Sequence, residues 1–267
     1  VRVDHPRALA LLRDTDAVIT DENLVRFPPA LVEWALTGPP SRIALAKRGS
    51  SEVAIRLEGR EVSFGTGSAC PNVLDPRTGA RRLFTEADVI ACVKLVDALP
   101  EIDFCMSMGM PSDLNPRAPY VDEFALMLEH TIKPLCFTLG SRAENEAIVA
   151  MAAAAAGGPD ELRLNPTLVG YGQPTTPLIH GEDSLDKLLF MAEMGLPIVY
   201  QASPMMGGAA PMSMAAALAL GNAELLSGLV VHQLARRGAP FVYGCGLHHM
   251  DMRTTIAVYG APEFELA

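Results

Sequence analysis

Three stretches of this sequence gather side chains able to hold a small molecule, and each follows an apolar run. Residues 197–211, P-IVYQASPMMGGAA-P, break from a strand-like run into polar and sulfur side chains, then glycine, then a long helical pattern. If strand ends form the rim of a site, Gln201, Ser203, Met205 and Met206 face a ligand, and Gly207-Gly208 lets it approach the backbone. Core methionines in a packing turn are the equal alternative. Residues 243–253, YGCGLHHMDMR, repeat the strand-into-loop pattern. Neighbouring side chains of an extended segment point to opposite sides, so at most one of His248 and His249 lines a pocket. Together with Asp251 they could ligate a metal, but H-H-x-D with no second His/Cys cluster is a weak zinc pattern. Hydrogen bonding to a substrate carboxylate, or orientation of the loop by an Asp251–Arg253 pair, is the stronger reading. A surface salt bridge is the plain alternative for that pair. In 165–174, NPTLVGYGQP, Tyr171 and Gln173 follow another apolar run. Tyr171 is either one wall of a cage for a methylated ammonium, which has no N–H to donate, or half-buried packing.

These groups need a frame. Apolar runs at 62–66, 103–107, 134–139, 164–170, 197–201 and 241–246 read as strands. Helical patterns at 85–99, 119–130, 142–156, 184–194 and 212–236 separate them. Thr85 before Glu86 and Asp88, and Asp183 before Ser184, read as helix starts. Ala156 followed by Gly157-Gly158-Pro159 is a helix stop. Strands alternating with helices imply parallel βαβ units. A doubly wound sheet and a (β/α)8 barrel both use them, but the Gly65-Thr-Gly-Ser68 turn is too short for a dinucleotide fingerprint. No phosphate-binding G-x-x-x-x-G-K-[ST] loop occurs either, so the fold expected is an α/β TIM barrel over residues 61–267. Residues 1–60, with short helices at 8–13 and 28–36 and alternating runs at 43–46 and 53–57, are expected to form a small α+β cap. About six of eight units are countable, so the barrel is expected to be truncated at its C-terminal end. The ends at Val1 and Ala267 read as borders within a longer chain.

Composition narrows the function classes. The 267 residues are 49% hydrophobic and 19% charged, enough to bury a substantial core. A formal net charge of -10 with no basic stripe argues against nucleic-acid binding. Cys70, Cys92, Cys105, Cys136 and Cys245 are odd in number and never spaced C-x-x-C, which fits neither a disulfide framework nor a zinc knuckle but does fit a reducing cytoplasm. Cys105, inside an apolar run, reads as an inert buried thiol. The longest apolar stretch, 211–234, contains Asn222, Glu224, His232 and Gln233, so neither a membrane span nor a leader is expected.

In order, FGTGSACPNVLDPRTGARR (64–82), TPLIHGEDSLDKLLFMAEMGLPIVY (176–200), GGAAPMSMAAALALGNAELLSG (207–228), GAPFVYG (238–244), DMRT (251–254) and YGAPE (259–263) span about 200 residues. This series resembles the trimethylamine methyltransferase family. The resemblance implies a TIM barrel that passes a methyl group from a small methylated amine to the cobalt of a cognate corrinoid protein docked over the barrel mouth, methyl transfer of the methanogenesis type. It implies that the cobalamin is carried by that partner, in keeping with the absence here of a D-x-H-x-x-G corrinoid motif. The family's trimethylamine enzymes carry pyrrolysine. None stands in this sequence, which moves the expected substrate toward a quaternary amine such as glycine betaine, carnitine or proline betaine. On this reading Tyr171, Gln201, Met205, Met206, Gly208, His248, His249 and Asp251 bind substrate, and no residue is assigned a catalytic or metal-binding role. A metal-assisted TIM-barrel hydrolase using His248, His249 and Asp251, and a non-catalytic amine-binding protein, are the alternatives. Homo-oligomerisation stays open.

Overall fold

The computed structural model describes residues 1–67 and 69–266. Ser68, the last residue of the early glycine turn, and Ala267 lie outside them. The described residues fold into a mixed α/β protein with parallel strands, and none of the sheets they form closes into a ring. Two compact units account for the chain, residues 41–171 and residues 1–40 with 172–267.

In the 41–171 unit, Ile43–Ala46 pairs antiparallel with Val53–Leu57, and Asn72–Leu74 with Arg81–Leu83. Leu135–Thr138 pairs parallel with the strand that begins at Leu168, and single parallel bridges join Gly65 to Phe104 and Cys105 to Leu135. Helices Glu86–Ala98, Pro119–His130 and Arg142–Ala156 pack successively against one another. Their starts follow from local chemistry. At Thr85 and Ser141 the side chain and a carboxylate three residues on form reciprocal capping boxes. Arg142–Ala156 ends at Gly157, whose φ of 92° is the left-handed conformation that glycine adopts without strain.

Three sequence-based expectations fail here. Residues 62–66 form no strand, only the single bridge from Gly65 to Phe104. Residues 103–107 do not form a strand, because Thr66 takes over part of the ladder. The Thr66 hydroxyl accepts from the Met106 N–H at 2.8 Å and donates to the Met106 carbonyl at 2.7 Å, and Met108 then turns to a φ of 66°. Residues 164–170 are split, since Pro159–Leu164 is a short helix and the strand is Leu168–Gly172. Pro159 at the first helical position and Asp160 and Glu161 in the first turn restart a helix directly after the stop.

In the other unit, Ile198–Ala202 pairs parallel with Phe241–Cys245, with Gln201 opposite Gly244 and Ala202 opposite Cys245. Helices Pro6–Arg13, Pro29–Leu36 and Glu182–Met194 all contact the long helix Met214–Ala235. Covered on several sides, that helix buries Leu225 together with everything from Ser227 to Gln233, which is why it is apolar all round rather than along one stripe. It has the length and composition of a membrane span, and half of its apolar window is buried inside the protein. Glu182–Met194 starts from Gly181, so Asp183 lies inside the helix, paired with Lys187 at 2.6 Å, rather than capping it.

Candidate functional site

The strand Ile198–Ala202 alternates its side chains, and the two faces do different work. Tyr200 is fully buried against the helices. Its hydroxyl lies 2.9 Å from His180 Nδ1 and 3.1 Å from Ser184 Oγ, while His180 Nε2 lies 2.8 Å from Ser227 Oγ. Ser184 Oγ donates to the Gln173 carbonyl at 2.6 Å. Glu224 completes the group, accepting from the Leu178 N–H at 2.8 Å and the Thr176 hydroxyl at 3.0 Å. Burial holds His180 neutral, its pKa pushed down to about 4, and raises the Tyr200 phenol and the Glu224 carboxyl above their ordinary values. Sequence reasoning did not find this network. Its one legible signal is the strand period, which places Tyr200 opposite in face to Gln201.

On the other face, Gln201 is half-buried and its carboxamide makes no hydrogen bond among the described residues. A β-carbon at Gly246 would come within 2.3 Å of Gln201 Nε2 and 3.5 Å of Ser203 Oγ, so both polar groups lie against Gly246. The two strands end together there, with the Gly246 N–H donating to the Ala202 carbonyl at 2.8 Å.

Past the strand ends a small three-stranded sheet gathers most of the remaining candidates. Met205 and Met206 pair parallel with His248 and His249, and the strand His248–Met250 pairs antiparallel with Ala257–Val258. His248 is buried, stacked on the Tyr259 ring at 4.8 Å, and its Nδ1–H donates to the Gly246 carbonyl at 3.0 Å. That bond fixes the tautomer and leaves Nε2 as an acceptor. His249, on the opposite side of the strand, is half-buried. Asp251 accepts from the Arg253 N–H at 2.8 Å and its backbone closes the loop through Ile256 and Thr255; the Arg253 and Thr254 amides hold its carboxyl below the usual range. Met206 is packed among Ala210, Ala217 and Leu247, whereas Met205 is half-buried. Gly207 takes a φ of 80°, and the Gly208 N–H donates to the Met205 carbonyl at 3.1 Å, making a tight exposed turn. Tyr171, half-buried near the end of Leu168–Gly172 and paired with Thr138, belongs to the 41–171 unit and is not gathered into this sheet.

The geometry offers a carboxamide and a hydroxyl at a strand end and a soft thioether-rich turn beside them. Among the described residues no three His, Cys, Asp or Glu side chains converge as a metal-holding group. Such a site is suited to binding and orienting a small organic molecule, with little equipment for proton transfer.

Across residues 1–267 the chain matches the family described as trimethylamine methyltransferase (MTTB). It is 28% identical over 264 residues to the trimethylamine methyltransferase MttB of Desulfitobacterium hafniense, covering 98% of this chain and 53% of that protein. It is 28% identical over 236 residues to a glycine betaine methyltransferase of Desulfitobacterium hafniense strain Y51, covering 88% of this chain and 49% of that one. Against the trimethylamine methyltransferase MttB of Methanosarcina barkeri, identity is 28% over 273 residues, 100% of this chain and 55% of the other. The chain spans about half the length of the curated relatives it matches.

Proposed function

Because the chain belongs to the trimethylamine methyltransferase family, we propose that it is part of an enzyme that passes a methyl group from a small quaternary amine, such as glycine betaine, to a cognate corrinoid protein. The observation that carries this reading is the pairing, at one pair of parallel strand ends, of the free Gln201 and Ser203 groups with a methionine-lined turn. The carboxamide and hydroxyl suit a substrate carboxylate, and thioethers suit methyl groups on a nitrogen that has no proton to donate. In the same reading Gly208, His248, His249 and Asp251 shape the pocket, Tyr171 is a separate substrate-binding candidate within the 41–171 unit, and the parallel βαβ units belong to a TIM barrel over 61–267 with 1–60 as a cap region.

The partner's corrinoid would supply the cobalt nucleophile, and the methylated nitrogen held by this chain would depart as a neutral amine. No protein nucleophile is needed, and no general acid is needed because the departing nitrogen carries no charge to quench. The residues of this chain therefore act by placing one N-methyl group toward the partner. Orientation of this kind can supply about 7–11 kcal/mol in favourable cases. Positive charge disperses as the methyl leaves, so a carboxylate in direct contact would favour the ground state; a soft thioether wall holds the cation less tightly. A metal-assisted hydrolase is the weaker alternative, since among the described residues His248, His249 and Asp251 do not converge as a metal-holding group.

The test is to mix the full-length protein with reduced corrinoid protein and a panel of tertiary and quaternary amines while following the cobalt spectrum. Conversion of cobalt(I) to methyl-cobalt(III) is expected with a quaternary amine, and no conversion with any of them overturns the proposal. An amine-binding protein without activity would bind betaine and leave the spectrum unchanged.

A further inference from the structure

Gly207 and Gly208 lie against three methionine side chains whose convergence the sequence does not reveal. A β-carbon at Gly207 would lie 2.6 Å from Met212 Sδ and 3.2 Å from Met252 Sδ, and one at Gly208 would lie 2.5 Å from the Met205 methyl carbon. Three thioether side chains, from positions 205, 212 and 252, thus fill the space beside the turn that side chains at Gly207 and Gly208 would otherwise take. Met212 and Met252 are 63% and 64% exposed. Large apolar side chains held in the open at a turn, rather than folded into the adjacent core where Met206 packs, are placed to meet something from solution.

We propose that Met205, Met212 and Met252 form the subsite that recognises the N-methyl groups of the substrate, with Gly207 kept free of a side chain so that the Met212 and Met252 sulfurs can close on the turn. This rests on the amine reading above and names the residues that set its specificity. A quaternary ammonium presents a shell of weakly positive methyl groups. Thioethers are polarizable and weakly electron-rich and have three rotatable bonds with which to close around such a shell. Each contact is weak, so selectivity comes from several sulfurs acting together. A primary ammonium gains little here, because losing water from its three N–H donors is not repaid by sulfur.

The experiment labels the methionine methyl groups of the chain with carbon-13 and titrates it with tetramethylammonium and with glycine betaine, reading affinity by calorimetry and the methyl resonances by NMR. The resonances of Met205, Met212 and Met252 are expected to shift saturably, while those of Met127 and Met191, fully buried, stay in place. The exposed pair M212A/M252A should fold normally and bind either ligand about five- to tenfold more weakly. Binding that leaves those three resonances and the double variant unaffected overturns the inference, as does absence of binding. The amine reading itself stands or falls separately by the cobalt assay. Silver(I) is the control, because thioether clusters also suit soft metal ions; a response to silver with none to the ammonium overturns the inference too.

Discussion

The Gln201 carboxamide has two donors and an acceptor, is half-buried, and is held against Gly246 without a hydrogen-bond partner among the described residues. Replacing it with alanine removes no internal hydrogen bond, so stability should change by less than about 0.5 kcal/mol. If Gln201 holds a substrate carboxylate, the KM or Kd for glycine betaine should rise roughly tenfold to hundredfold in the same variant. An unchanged value in steady-state or calorimetric measurements would remove Gln201 from the site. Candidates of this kind stand out in a sequence because polar residues where apolar runs end are few, and the small sheet pairs Met205 and Met206 with His248 and His249, with Asp251 directly after it. The alternation rule also separated the two histidines, one buried and one half-buried. Met212 and Met252 were not legible. Their sulfurs meet only because Gly207 turns through a positive φ and the 251–256 loop folds back, events far apart in the chain.

Elements show the same division between local and distant causes. Helices Pro119–His130 and Arg142–Ala156 lie where their patterns end, since capping residues, Pro at N1 and a left-handed glycine are local signals. The strand expected at 103–107 dissolves into single bridges because a side chain forty residues upstream supplies its hydrogen bonds, which no local pattern records. The hairpin Asn72–Leu74 with Arg81–Leu83 was missed for a different reason: its strands are three residues each and mostly solvent-facing, so alternation has nothing to register. Close approach of the long helix to Ile198–Ala202 occurs at Gly228, where a β-carbon would meet Tyr200 Cε1 at 2.5 Å. Gly228→Ala is therefore expected to destabilise by about 1–3 kcal/mol through overpacking and to loosen the Tyr200–His180 bond. Chemical denaturation, with the His180 ring resonances as a local probe, checks both. An alanine variant as stable as the parent would show that this contact relaxes freely.

For the molecule as a whole, buried titratable groups predict a stability optimum bounded on both sides. His180 and His232 are buried neutral, with pKa values pushed down by burial to about 4 and about 3 from 6.5. The unfolded chain binds protons that the folded one refuses, so stability falls as pH drops below about 6.5 and continues to fall until the folded values are passed. Glu123 acts in the opposite direction. Burial, opposed in part by Ser107, pushes its carboxyl up to about 7 from 4.5, so the folded state keeps a proton that the unfolded state loses. Its contribution declines as pH rises from 4.5 to 7. Glu123→Gln should leave stability near pH 4 unchanged and raise it near pH 8 by up to about 3 kcal/mol. Urea unfolding at the two pH values tests this, and equal effects at both would mean that Glu123 does not titrate across the range. By itself the sequence determined the family, through ordered motifs spread along the chain, and the alternation of helix and parallel strand, because periodicity and caps act over a few residues. Tertiary structure alone decided which polar groups were left without partners, which methionine belongs to the core and which three surround a glycine turn, because convergence in space depends on register and close packing between segments that share no local signal.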